Sequence, residues 1–236
     1  MQWLYRWPGL LLTLAAVFWA GNTVAARLAL GEISPFMLTT LRWVAVAAAL
    51  WPIYGGEIRK HWPQIRPRLP SIVLMAVLGM TGFNALYYVA AQYTSAINMG
   101  ILQGSTPIFV LAVALLAHGT RPGLVQLAGV LITALGVVVV ATRGEPLALL
   151  EVDFNTGDLF MLAACGLHAG YTVALHVRPT MPGTPFFALL AVIAAVTSLP
   201  LVALEALAGG WTPPTVNGLL CSLRSCRRSS TCAAST

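Results

Sequence analysis

Short sets of polar residues interrupt an otherwise apolar chain. Trp19 and Asn22 stand three residues apart, and Arg42 lies alone in the next apolar run. Thr81, Asn84, Tyr88 and Gln92 follow at spacings of three, four and four. Gln103, Ser105, Thr106 and Pro107 come next, and Cys165, His168, Tyr171 and Thr172 form the last set. Residues three or four apart lie on one face of a helix, so these sets read as polar edges of helices. Amides, hydroxyls, an indole, an imidazole and one guanidinium can hydrogen-bond a solute or hold an anionic group. Metal binding or nucleophilic catalysis requires converging ligands or a nucleophile beside a base. One cysteine with two histidines eight residues apart supplies neither. No enzymatic activity, catalytic residue, cofactor or metal is expected.

Each set has two readings. Gly21 and Ala25 form a small-xxx-small pair, which favours close helix contact. Asn22 either bonds a neighbouring helix or faces a wet cavity, because a buried amide without partners is costly. A charge at a helix centre costs roughly 2.5 to 3.5 kcal/mol by insertion scales. Arg42 therefore either snorkels to headgroups or binds an anionic group, and Arg27 reads as a snorkelling anchor. The stripe from Thr81 to Gln92 should face the bundle interior, as interhelical glue or as a solute pathway. Pro107 removes a backbone donor and can kink its helix. His168 and Tyr171 fit packing as well as ligand contact. The residues that would line a central cavity are Trp19, Asn22, Arg42, Asn84, Tyr88, Gln103, His168 and Tyr171.

The elements that must position them are membrane helices. Of the 236 residues 58% are hydrophobic and only 8% charged, against about 25% charged in an ordinary soluble domain. Seven apolar spans can be read, over 9–29, 36–54, 71–92, 96–117, 123–141, 158–177 and 185–207. Each is long enough to cross a hydrocarbon core as a helix. Breakers punctuate them at 31–35, 55–70, 94–95, 119–122, 143–157, 179–185 and 209–214. The net charge of +6 is explained by topology and not by nucleic acid, for which no role is expected. With the N-terminus in the cytoplasm, Arg6, Arg59, Lys60, Arg66, Arg68, Arg121 and Arg178 all fall inside. Arg143 with Glu32, Glu145, Glu151 and Asp153 then falls outside, as the positive-inside rule requires. The four cysteines show no disulfide or metal-ligand spacing.

The chain also repeats itself. Ala20-Gly21-Asn22-Thr23-Val24-Ala25-Ala26-Arg27 returns as Ala169-Gly170-Tyr171-Thr172-Val173-Ala174-Leu175-His176. Ser34-Pro35-Phe36 returns as Thr184-Pro185-Phe186. His168 thus takes the place of Trp19, and Tyr171 that of Asn22. The copies begin at spans one and six, and five is an odd number. They must enter the membrane from opposite sides, as in the inverted repeats from which alternating-access carriers are built. The fold expected is an all-α transmembrane bundle with about seven helices of an expected ten. It divides into a first repeat over 1–142, an external linker over 143–157, a partial second repeat over 158–218 and an atypical tail over 219–236.

Several of these residues resemble the drug/metabolite transporter superfamily, in its EamA-like branch of ten-helix carriers. They are Trp19 to Asn22, Pro35 with Leu41-Arg42, Tyr93-Thr94-Ser95-Ala96 leading to Pro107-Ile108-Phe109, and Gln126-Leu127-Ala128-Gly129 with Gly136-Val137. The resemblance covers about residues 9 to 218. It implies export of small metabolites, amino acids or drugs across the inner membrane by alternating access, with proton coupling or exchange. The implied partners are the lipid bilayer and a small-molecule substrate, with homo-oligomerisation left open. Gly119-Thr120 stands where members often have Gly-Glu, so no role of that glutamate carries over.

Past Gly218 the sequence turns to Cys221-Ser222-Leu223-Arg224-Ser225-Cys226-Arg227-Arg228. That stretch cannot comfortably span a bilayer, and a frameshift or truncated gene is expected there in preference to a genuine polar tail. The chain then reads as an incomplete carrier, inactive by itself, and the rival reading is a noncatalytic membrane subunit or remnant. The orientation is directly testable. Single-cysteine variants in 55–70 should resist an impermeant thiol reagent in intact cells, and labelling of that loop from outside would reverse the assigned topology.

Overall fold

The computed structural model describes residues 8–28, 33–119, 123–141 and 155–207. Seven helical segments make up the bundle: α1 (Pro8–Leu28), α2 (Pro35–Lys60), α3 (Trp62–Tyr93), α4 (Ala96–His118), α5 (Leu124–Ala141), α6 (Thr156–Val177) and α7 (Gly183–Leu207). No strand occurs among the described residues. Helices α2, α3, α4, α6 and α7 are long and apolar enough to cross a membrane. Helix α1, with 21 residues, rises about 30 Å, also a membrane thickness. The protein is an all-α polytopic membrane bundle.

The sequence reading places a loop at 55–70, and the structure replaces it with helix. Helix α2 runs on to Lys60, and α3 begins at Trp62. Pro63, Pro67 and Pro70 signal breaks in the sequence, yet each sits in the first turn of a short helical stretch. A first-turn N–H has no intrahelical partner in any case, so proline costs little there. Gly119, at φ +62°, ends α4 in the left-handed conformation that glycine adopts without strain. Asn155 and Asp158 close a reciprocal capping box at the start of α6.

Two interruptions inside helices matter for the site. Helix α4 is broken by a turn at Gly104 and Ser105 and restarts at Thr106, so the break expected at Pro107 is present. Helix α3 contains a π-helical stretch over Val77–Gly82 that sequence inspection missed. One wide turn shifts the register between the residues before and after it. Thr81 accordingly faces α7, where its hydroxyl pairs with that of Thr197 at 2.7 Å. Asn84 and Tyr88 face α1 and α2 instead, and Gln92 is exposed. The stripe read as one continuous face is therefore divided.

Helices α2 and α7 form the most extensive pair, and they open at the matching Ser34-Pro35-Phe36 and Thr184-Pro185-Phe186 of the sequence. One apolar core joins them to the start of α3 around Trp43, Ile72, Met75, Phe186 and Leu190. A second core joins the end of α3 to α6 around Phe83, Tyr87, Met99, Met161 and Cys165. Gly157 brings α6 so near the end of α3 that an added Cβ would lie 2.8 Å from Thr94 N. Buried Asp158 locks this contact, accepting from Thr94 Oγ1 at 2.7 Å and Asn98 Nδ2 at 2.6 Å. Gly21 makes no such approach, since a Cβ there meets nothing within 4 Å. The expected close contact at Gly21 and Ala25 is thus not seen at Gly21. The side chains of Ala25 and Arg27, the loop 143–154 and the whole segment past Leu207 lie outside the described residues, and with them the expectations made there.

Gly79, inside the π-helical stretch, is where Tyr171 of α6 lies against α3; a Cβ at Gly79 would overlap the tyrosine ring. Gly79→Ala should therefore destabilise the bundle by about 1 to 3 kcal/mol, the usual cost of overpacking. Tyr171→Ala in the same chain should recover part of that loss. Thermal unfolding in detergent measures both, with Gly21→Ala as a neutral comparison. Equal melting of Gly79→Ala and the parent would refute the contact.

Candidate functional site

Arg42 is the centre of the polar interior. It leaves α2 two turns after Pro35, the repeat-marking proline that opens that helix. Its Nη1 donates to Asn22 Oδ1 of α1 at 2.7 Å, to Tyr88 Oη of α3 at 2.9 Å and to Asn84 Oδ1 of α3 at 3.2 Å. Tyr88 Oη in turn donates to Asn22 Oδ1 at 3.2 Å, and Asn84 Nδ2 donates back to Met80 O at 2.7 Å. The amide assignments of both asparagines are thereby consistent, with oxygens turned to the cation and a nitrogen to a carbonyl. Snorkelling does not describe this side chain, which is half-buried and tied to two other helices.

A second bond pins α1 against α3. Thr23 Oγ1 donates to Trp19 O at 3.2 Å, which leaves it to accept from the fully buried Tyr87 hydroxyl at 2.5 Å. The inside of α1 is thus fixed by Asn22 and Thr23 together, although most of that helix is exposed in the bundle.

The network borders a partly open cavity of about 300 Å³ lined by α1, α2, α3, α6 and α7. Asn22, Arg42 and Asn84 supply its polar part, and Trp19, Phe83 and Phe187 supply aromatic walls. A second cavity of about 730 Å³ lies between α1, α4, α5 and α6, where Thr23, Gln103, Thr106, Gln126, His168 and Thr172 supply the polar lining. Trp19 and His168 line both cavities. These two repeat-related residues meet edge to face with ring centroids 5.9 Å apart, forming the partition between the cavities.

Of the eight residues singled out in the sequence, Trp19, Asn22, Arg42, Asn84 and His168 line the smaller cavity. Gln103 lines the larger one. Tyr88 is buried behind the network it completes. Tyr171 lines neither of these two cavities and packs between Gly79 and His168. Sequence reasoning missed Trp43, Phe83 and Phe187, because an aromatic residue in an apolar run carries no sign of which helix face it occupies. Trp43 stands next to Arg42 in sequence, and that adjacency was the only available signal. No group of three histidine, cysteine or acidic residues that could hold a metal occurs among the described residues.

Comparison with known proteins accords with this architecture. The EamA-like transporter family matches over residues 6–142, more than half of the chain. The chain belongs to the EamA-like transporter family. Its EamA-like relatives include the uncharacterized transporter YyaM of Bacillus subtilis strain 168, 27% identical over 172 residues, covering 72% of this chain and 55% of the relative. An uncharacterized transporter of Archaeoglobus fulgidus is 30% identical over 169 residues, covering 70% of this chain and 55% of the relative. A probable terminal-alkyne amino-acid exporter of Streptantibioticus cattleyicolor is 28% identical over 163 residues, covering 69% and 52%. The chain spans about half the length of these EamA-like relatives. No solved structure matches it.

Proposed function

We propose that this chain contributes the solute cavity of a small-molecule exporter in the cell's inner (plasma) membrane, with its N-terminus in the cytoplasm and transport by alternating access. The observation that carries the reading is the Asn22–Arg42–Asn84–Tyr88 network bordering a cavity between helices of both repeats. Alternating access requires a site that both halves can close upon from opposite sides. The contact of Trp19 with His168 supplies a closure surface made of repeat-related residues. Export is supported by the name of the Streptantibioticus relative, a probable terminal-alkyne amino-acid exporter. The first repeat spans 1–142 in this reading, and α6 with α7 begins the second.

A packing reading is favoured by the burial of Asn84 and Tyr88, which bind helices together whether or not a solute enters. The two readings separate in a full-length relative substituted at the positions equivalent to Asn84 and His168. Alanine at the Asn84 position should reduce efflux by about tenfold, roughly the worth of one charge-assisted hydrogen bond, and alanine at the His168 position should reduce it by removing the ring that meets Trp19, with folded yield unchanged in both. A loss of yield in step with the loss of efflux would reduce these residues to interhelical glue.

A further inference from the structure

Resting on that cavity reading, we propose that the cavity at Arg42 selects a monoanionic solute with an apolar body, most simply a small carboxylate, and that Arg42 is the group that reads its charge. The guanidinium carries five N–H donors, and only those on Nη1 are engaged by protein among the described residues. All three oxygens that Nη1 meets belong to neutral side chains, so the positive charge has no counter-ion among the described residues. A charge in an apolar span without a counter-ion is a standing demand for an anion. Nothing acidic lines the cavity.

The remaining lining narrows the class. One guanidinium balances one negative charge, which suits a monoanion better than a phosphate dianion. The rest of the cavity is Trp19, Phe83 and Phe187, a surface for an apolar body and not for a second charge. A volume of about 300 Å³ matches a molecule the size of a small organic acid.

The full chain, purified in an uncharged detergent, tests this by equilibrium dialysis against radiolabelled phenylacetate and its neutral isostere phenylacetamide. Phenylacetate should bind saturably and about tenfold or more tighter than the amide, the usual worth of a charge-assisted bond. Arg42→Gln should bring the two probes to similar affinity. Asn84→Asp should do the same with the guanidinium still present, since a resident carboxylate then takes its charge; it serves as the second test should Arg42→Gln fail to fold. Equal binding of acid and amide by the parent chain would overturn the anion assignment and leave the cavity standing. Binding of neither probe would overturn the cavity reading along with it. A preference for the acid that survives in both variants would place the charge reader elsewhere and refute the role of Arg42.

Discussion

The arrangement of this bundle depends on holding one guanidinium in an apolar span. Isolated, Arg42 would work against membrane insertion of α2. Three neutral oxygens from α1 and α3 offset much of that penalty, and in doing so they fix where those helices sit around α2. Removing the cation would leave Asn22, Asn84 and Tyr88 with oxygens turned toward one another and fewer donors among them. The network is therefore a structural joint as well as a polar wall, and among the described residues the joint leaves the charge without a counter-ion.

Helix α3 meets this demand only because it is not a regular helix. The π-helical stretch over Val77–Gly82 turns Thr81 toward α7 while keeping Asn84 and Tyr88 on Arg42. Glycines at 79 and 82 let Tyr171 and Leu167 of α6 press against the same stretch. Helix α6 is then anchored at its other end by Asp158, which holds the α3–α4 turn. Between these anchors His168 reaches Trp19, so the repeat seen in the sequence becomes a physical contact between the first helix of each copy.

What the sequence made legible follows from the same physics. Bilayer thickness and apolar run length define the spans, and the observed helices begin and end close to them except where α2 continues to Lys60 and α3 begins early at Trp62. The error at 55–70 arose because proline breaks a helix in its interior but is welcome in its first turn, and composition alone does not distinguish the two. Arg42, Asn22 and Asn84 were legible because a polar group in lipid must find a partner. Tyr171 kept two readings in the sequence, since its repeat relation to Asn22 says nothing about the space opposite it, which Gly79 of another helix leaves open for its ring. The aromatic walls at Trp43, Phe83 and Phe187 were illegible, because apolar residues satisfy the membrane equally well on any face.

The central claim is that the space beside Arg42 holds the transported solute. Anomalous scattering from crystals soaked in 4-bromophenylacetate locates a bound acid without reference to any activity. The account predicts a bromine peak among Trp19, Phe83 and Phe187, with the carboxylate on the Arg42 guanidinium. A peak confined to the open hollow beside Arg178 and Met181, or no peak at saturating acid, would contradict it.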